Sequence, residues 1–340
     1  MADIKRANGH RLDGILPGIM PSVPGPRPTA ENVGFDLEAA LAAVRPLRAR
    51  APADGYTAAS LGTEREGNAV LIDASGLLLT IGYLIVEATE IMIGGTDGKG
   101  IPAQAAGYDH ETGFGLVRTV ETLDVPPLAV ATDVDGIVAG AKVVIVGQGG
   151  AEQALMGEVA DRREFAGSWE YMLDSAIFTR PLHPRWSGAA LLDRANGALI
   201  GIGSLYVQEI GGSGEIQPGN MFVPVDILAP IYDDLVRIGR PSRPARPWLG
   251  MQVTEALGHL VVAGVLDDGP ADSVGVMPGD LVATIEGQEV ETLPDMYRRI
   301  WSAGNAGTDI QVGLVRGPQM IDVIVHSADR QDFLHMPRRH

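Results

Sequence analysis

The feature that most constrains this chain is how short its apolar runs are. From Asn68 onward they read NAVLID, LLLTIG, EIMI, IPAQAAGY and GFGLVRTV, each closed off by glycine, aspartate, serine or another turn former. A second series follows: KVVIVGQG, MGEVADRREF, WEYMLDSAIF, GAALLD, GALIGIGSL and NMFVPV. Runs of this length, rich in Val and Ile, bury one strand at a time and are too short for the apolar stripe of a packed helix. The 44 glycines and 23 prolines supply the punctuation. Two series of about six strands each predict two packed antiparallel barrels, so the expected class is mainly β.

The flanks read differently. Residues 1–34 form a Pro/Gly-rich arm that is not expected to fold alone, and Ile15 to Val23 are expected to pack on another subunit or protein. Residues 35–50 read as a short helix and connection: in FDLEAALAAVR, Leu37, Leu41 and Val44 share a face before Pro46 stops the helix. The barrels are assigned to 51–225. Residues 226–247 give a helix capped by Asp226, then an Arg/Pro linker. From 248 to 329 the rhythm becomes WLGMQV, LVVAGVL, LVATIEG, IQVGLVRG and MIDVIVHS, with one helix at LPDMYRRIWSA. That is a separate compact domain, and residues 330–340 are left as a tail.

Composition excludes several functions. Forty-three acidic against 26 basic residues leave a formal charge of −17, which repels a phosphate backbone or an anionic lipid surface. Nucleic acid and membrane are therefore not expected partners. Without cysteine there is no disulfide and no thiol nucleophile, and the seven histidines show no metal-binding spacing, so neither a metal nor another cofactor is expected. The apolar residues Ile15, Leu16, Ile19 and Met20 are broken by Pro17, Gly18 and Pro21, so no secretory core forms and the expectation is a cytoplasmic protein.

Two passages carry a family likeness. NMFVPVDILAPIYDDLVRIGRPSRPARPWLGMQV resembles the barrel-to-PDZ junction of the HtrA (DegP-type) family, and GPADSVGVMPGDLVATIEGQEV resembles the core of its PDZ domain. The resemblance runs from about Gly67 to Asp329 and implies a chymotrypsin/trypsin-like double β-barrel followed by a C-terminal PDZ domain. In that family a histidine follows the strand equivalent to LLLTIG; here Tyr83 stands at that position. The orienting aspartate is replaced by Gly113 in DHETGFG. The nucleophile motif survives as RWSGAA, with Ser187 kept and Arg185 in place of the glycine whose amide faces the developing oxyanion.

The chemistry then has to be weighed. A serine hydroxyl needs a base within hydrogen-bond reach and a third group to orient that base. A tyrosine of ordinary pKa is ionised to roughly one part in a thousand at pH 7. Loss of the histidine alone costs on the order of a millionfold, about 8 kcal/mol of barrier. His110 or His183 would have to fold toward Ser187 to supply a base. With both partners missing, Ser187-Gly188 reads better as a simple turn, and Trp186 as an aromatic filling the cleft.

The resemblance also places a peptide-binding carboxylate loop at Trp248, Leu249, Gly250 and Met251. MQVT is then the receiving strand, Leu293 to Ala303 the helix across the groove, and Arg243 and Arg246 a source of positive charge. Backbone amides turned inward would anchor the C-terminus of a bound polypeptide. The reading is a catalytically degenerate HtrA-like protein acting as a peptide-binding adaptor, scaffold or chaperone-like subunit, with a trimer worth considering. Its alternatives are an active serine endopeptidase using Ser187 with a non-standard base, and a structural subunit of a larger complex.

Overall fold

The computed structural model describes residues 23–95, 98–208 and 217–335. They form two compact units, one of residues 23–163 and 175–241 with His335, the other of Glu164–Asp174 and Ser242–Leu334.

The expectation of a mainly β chain with two barrels holds. In the first unit α1 (Leu37–Ala42) leads into β1 (Val44–Arg50); α2 (Ala58–Leu61), β2 (Glu64–Asp73), β3 (Leu77–Ile81), β4 (Glu90–Gly94), β5 (Gly100–Tyr108) and β6 (Phe114–Thr119) follow. The strands close in the order β1-β2-β3-β6-β5-β4. Helix α1 is capped by Asp36, whose side chain accepts from the Ala39 amide, but it ends at Ala42. Val44 to Arg50, read from sequence as helix and connection, are the first barrel strand. Pro46 is tolerated because it precedes the stretch Leu47–Arg50 that pairs with β4, where an N–H is demanded on the second side.

The second barrel contains β7 (Lys142–Val146), β8 (Ala154–Gly167), β9 (Tyr171–Arg180), β10 (Ala190–Asp193), β11 (Leu199–Val207) and β12 (Gly219–Pro224). It closes in the order β10-β11-β12-β9-β8-β7. Ile145, Leu155, Ile177, Leu191 and Phe222 share one face of its wall, all essentially without solvent contact. The expected helix after residue 225 begins as a tight 3₁₀ helix, Val225–Ile231, with Asp226 inside its first turn rather than capping it, and continues as α3 (Tyr232–Arg237). Pro230 lies in the tighter part.

Most of the N-terminal arm, residues 1–22, lies outside the described residues, and with it nearly all of the expected packing segment. Its continuation lies on the chain's own barrel. Val23 is buried and donates to the Glu152 carbonyl, Pro26 accepts from the Met156 amide, and Gly34 donates to the Arg194 carbonyl.

In the second unit β13 (Met251–Ala256), β14 (His259–Val265), α4 (Pro270–Ser273), β15 (Leu281–Ile285), β16 (Gln288–Glu289), α5 (Leu293–Ser302), β17 (Asp309–Arg316) and β18 (Gln319–His326) make one antiparallel sheet, β13-β14-β15-β17-β18, with β16 on β15. Helix α5 starts at Thr292, whose hydroxyl accepts from the Asp295 amide, and buries Leu293, Met296, Tyr297 and Ile300 against Val253, Val262, Ile285 and Val312. This is the expected PDZ fold. His259 is exposed at the start of β14.

Candidate functional site

The loop between β9 and β10 carries Ser187, and a side chain that the sequence reading passed over holds it. Asn68, fully buried on β2, donates through Nδ2 to the carbonyls of Arg185 (2.9 Å) and Ser187 (2.8 Å). Its backbone N–H donates to the Ser187 carbonyl at 2.9 Å, and its Oδ1 accepts from the Gln148 amide at 2.7 Å. One carboxamide thus satisfies three loop groups on two segments. In sequence Asn68 is only the first letter of an apolar run.

Tyr83 sits in the tight turn Gly82–Leu84 after β3, and that turn is pinned from beneath. Arg65, almost fully buried, donates to the carbonyls of Tyr83 (3.0 Å) and Val86 (2.6 Å) and to Thr57 Oγ1 (2.7 Å). So held, the Tyr83 hydroxyl lies 2.8 Å from Ser187 Oγ and 2.9 Å from the Ser204 carbonyl oxygen. A phenol has one proton to give, and a carbonyl can only accept. When that proton serves Ser204, the bond to Ser187 must run from the serine hydroxyl to the tyrosine oxygen. Burial raises the phenol further above its ordinary pKa. Tyr83 is therefore a neutral hydrogen-bond partner at physiological pH.

His183 does not reach Ser187. Its ring is fully buried with both nitrogens engaged: Nε2 is 2.8 Å from the Gln153 carbonyl, and Nδ1 accepts from the Arg185 amide at 3.1 Å. Those partners fix the Nε2–H tautomer. Burial pushes its pKa down to about 4, so it is neutral near pH 7. The Arg185 amide, the one expected to face an oxyanion, is therefore committed to an imidazole nitrogen.

Gly113 accepts from the Gly82 amide at 2.7 Å and donates to the Asp109 carbonyl at 2.9 Å. Its φ of +82° suits glycine and strains any other residue. His110 lies in the same turn between β5 and β6. Among the described residues, the Ser187 Oγ hydrogen bond is the one to Tyr83. Trp186 packs on Tyr206, ring centroids 5.9 Å apart.

In the PDZ unit the loop residues divide. Trp248 packs its buried indole on Phe333 and donates its amide to the Ala328 carbonyl. The amides of Leu249, Gly250 and Met251 converge on a single carboxylate, that of Glu170. Gly250, at φ +75°, permits that convergence. The Arg246 guanidinium lies over the Trp301 ring, 4.4 Å from the centroid. Among the described residues no three His, Asp or Glu side chains are grouped to hold a metal ion, and no helix is long and apolar enough to cross a membrane.

This fold and site define a trypsin-like peptidase domain joined to a PDZ domain, and the family models for those two domains match residues 67–202 and 247–326. The chain belongs to the HtrA family. It is 27% identical over 279 residues to Protease Do-like 1, chloroplastic, of Arabidopsis thaliana (74% of this chain, 61% of that protein). It is 26% identical over 274 residues to the periplasmic pH-dependent serine endoprotease DegQ of Escherichia coli (76% and 58%). The chain thus spans about three fifths of the length of these relatives. Among solved structures, a serine-to-alanine variant of the HtrA-type protease AlgW with a tripeptide is similar at a TM-score of 0.51 and 25% identity, covering 86% of this chain and 96% of that one. One expectation is overturned: the DegP- and DegQ-type relatives carry periplasmic names, against the cytoplasmic placement read from the N-terminal residues.

Proposed function

We propose that this chain is a catalytically degenerate HtrA protein whose role is to bind polypeptide rather than cut it. The observation that carries the reading is the partner of Ser187: a phenol at 2.8 Å where acyl transfer needs an imidazole. Two further observations support it. Position 113 has no carboxylate and a backbone conformation that disfavours one, and the Arg185 amide is engaged by His183. The PDZ domain supplies the binding function, with the amides of Leu249, Gly250 and Met251 as its carboxylate anchor and polypeptide C-termini as the ligand class. The periplasmic names of its relatives support work outside the cytoplasm. Incubation of the full chain with unfolded, fluorescently quenched casein tests the reading: no cleavage above a Ser187→Ala control is expected, and Ser187-dependent cleavage overturns it.

A further inference from the structure

A PDZ domain is completed by what occupies its groove, and here the occupant is visible. The turn that joins β8 to β9 reads Gly167-Ser168-Trp169-Glu170, and it belongs to the same compact unit as the PDZ sheet. Glu170 is buried at 4% exposure. Its Oε1 accepts from the amides of Gly250 (2.9 Å), Met251 (3.2 Å) and Leu249 (3.3 Å), and its Oε2 from Leu249 at 3.0 Å. That is the contact set by which a carboxylate loop holds a chain terminus.

The rest of the turn behaves as a peptide would. The Val253 amide on β13 donates to the Ser168 carbonyl at 3.0 Å, a main-chain bond on the receiving strand. From α5, on the other side of the groove, the Tyr297 hydroxyl donates to the Gly167 carbonyl at 2.7 Å and accepts from the Glu170 amide at 3.2 Å. Arg330 donates to the Trp169 carbonyl at 3.0 Å, and Ala166 and Met172 pack on the domain core. Loop, strand and helix all engage the one turn.

Glu170 also holds a left-handed backbone, φ +57°, at a turn position where glycine or asparagine is the unstrained choice. The conformation is tolerated where surrounding contacts over-determine it, and the carboxylate contacts do so here.

We propose that the carboxylate loop of this PDZ domain is liganded by the chain's own Glu170, so that the hairpin tip is the groove's resident ligand and a polypeptide C-terminus enters only by displacing it. The proposal rests on the peptide-binding reading above for the nature of the competitor, but not for the contact itself. A tethered ligand is present at an effective concentration on the order of millimolar, so a free peptide of micromolar intrinsic affinity is held off until the tip is removed.

The test uses the full chain and the variants Glu170→Ala and Glu170→Gly, the latter unstrained at φ +57° if the former folds poorly. Two quantities are read: hydrogen exchange of the Leu249, Gly250 and Met251 amides without peptide, and anisotropy of a fluorescein-labelled peptide ending in a free valine carboxylate. Expected are at least about tenfold faster exchange of those amides in the variants and at least about tenfold tighter peptide binding. Unchanged exchange in both folded variants overturns the proposal. Faster exchange with no peptide binding in any form upholds the internal ligand and overturns the peptide-binding reading instead.

Discussion

Replacing Tyr83 by phenylalanine separates a structural hydroxyl from a catalytic one. The Ser204 carbonyl sits at the β-bulge between Gly203 and Leu205, off the ladder, and its residue is 4% exposed. Ser187 is 5% exposed. Tyr83→Phe removes the phenol oxygen that both groups use and leaves the carbonyl without that donor. A buried polar group left unpaired costs about 1–3 kcal/mol, and the lost serine bond about 1 more, so a loss of about 2–4 kcal/mol is expected. With a urea slope on the order of 2 kcal/mol per molar, the midpoint falls by about 1–2 M. Ser187→Ala breaks only one of the two bonds, and the double variant is expected to be milder than the sum by about 1 kcal/mol. Trp186 is the one tryptophan of the barrel unit, so fluorotryptophan NMR during urea titration follows that unit separately. Unchanged barrel stability in Tyr83→Phe refutes the assignment of the phenol as a structural partner.

Other outcomes follow from the same contacts. Asn68→Ala leaves the Arg185 carbonyl and the Gln148 amide without their side-chain partner, while the Ser187 carbonyl keeps the backbone N–H of residue 68, and is expected to cost about 2–4 kcal/mol in the same barrel titration. Tyr83→His with Gly113→Asp is expected to give no measurable casein cleavage, because an imidazole is shorter than a phenol and the Arg185 amide stays on His183; Gly113→Asp alone costs about 1–2 kcal/mol for its left-handed backbone, read by urea unfolding. Burial pushes the Glu170 carboxyl up to about 7 from an ordinary 4.5, against the opposing pull of the Leu249, Gly250 and Met251 amides and Arg330. The docked turn then holds its proton more tightly than a free one, so docking is strongest below pH 4.5 and weakens as pH rises through 7, by about 3 kcal/mol in all. The Gly250 amide NMR shift is expected to titrate with a midpoint near 7, and not to titrate in Glu170→Gln.

The two strand series were legible because each barrel strand is an apolar run bounded by turn formers, a purely local signal. Strand β1 was not, since Ala-rich FDLEAALAAVR followed by Pro46 has the local signature of a helix and its stop; pairing with β2 and β4 overrides that propensity. The site residues Ser187, Tyr83, Gly113 and Arg185 were reached through family likeness, and their chemistry through residue type. What could not be read were the partners: that His183 takes the Arg185 amide, that Asn68 clamps the serine loop, and that Glu170 meets Gly250. The last two join segments remote in sequence, and the first, though local, depends on the His183 ring being buried on the Gln153 carbonyl; no periodicity encodes such meetings. The one local hint was Trp-Glu-Tyr at a hairpin turn, where aromatic residues flank a glutamate that a solvated turn has no need to shield.

The central claim is that Ser187 is not an activated nucleophile. Labelling of the native full chain with a fluorophosphonate, read by intact mass near pH 7.5, tests it without any assumption about substrate. The account predicts an unmodified mass for the wild type and for Ser187→Ala alike. A stoichiometric adduct on the wild type that is absent from Ser187→Ala would contradict it.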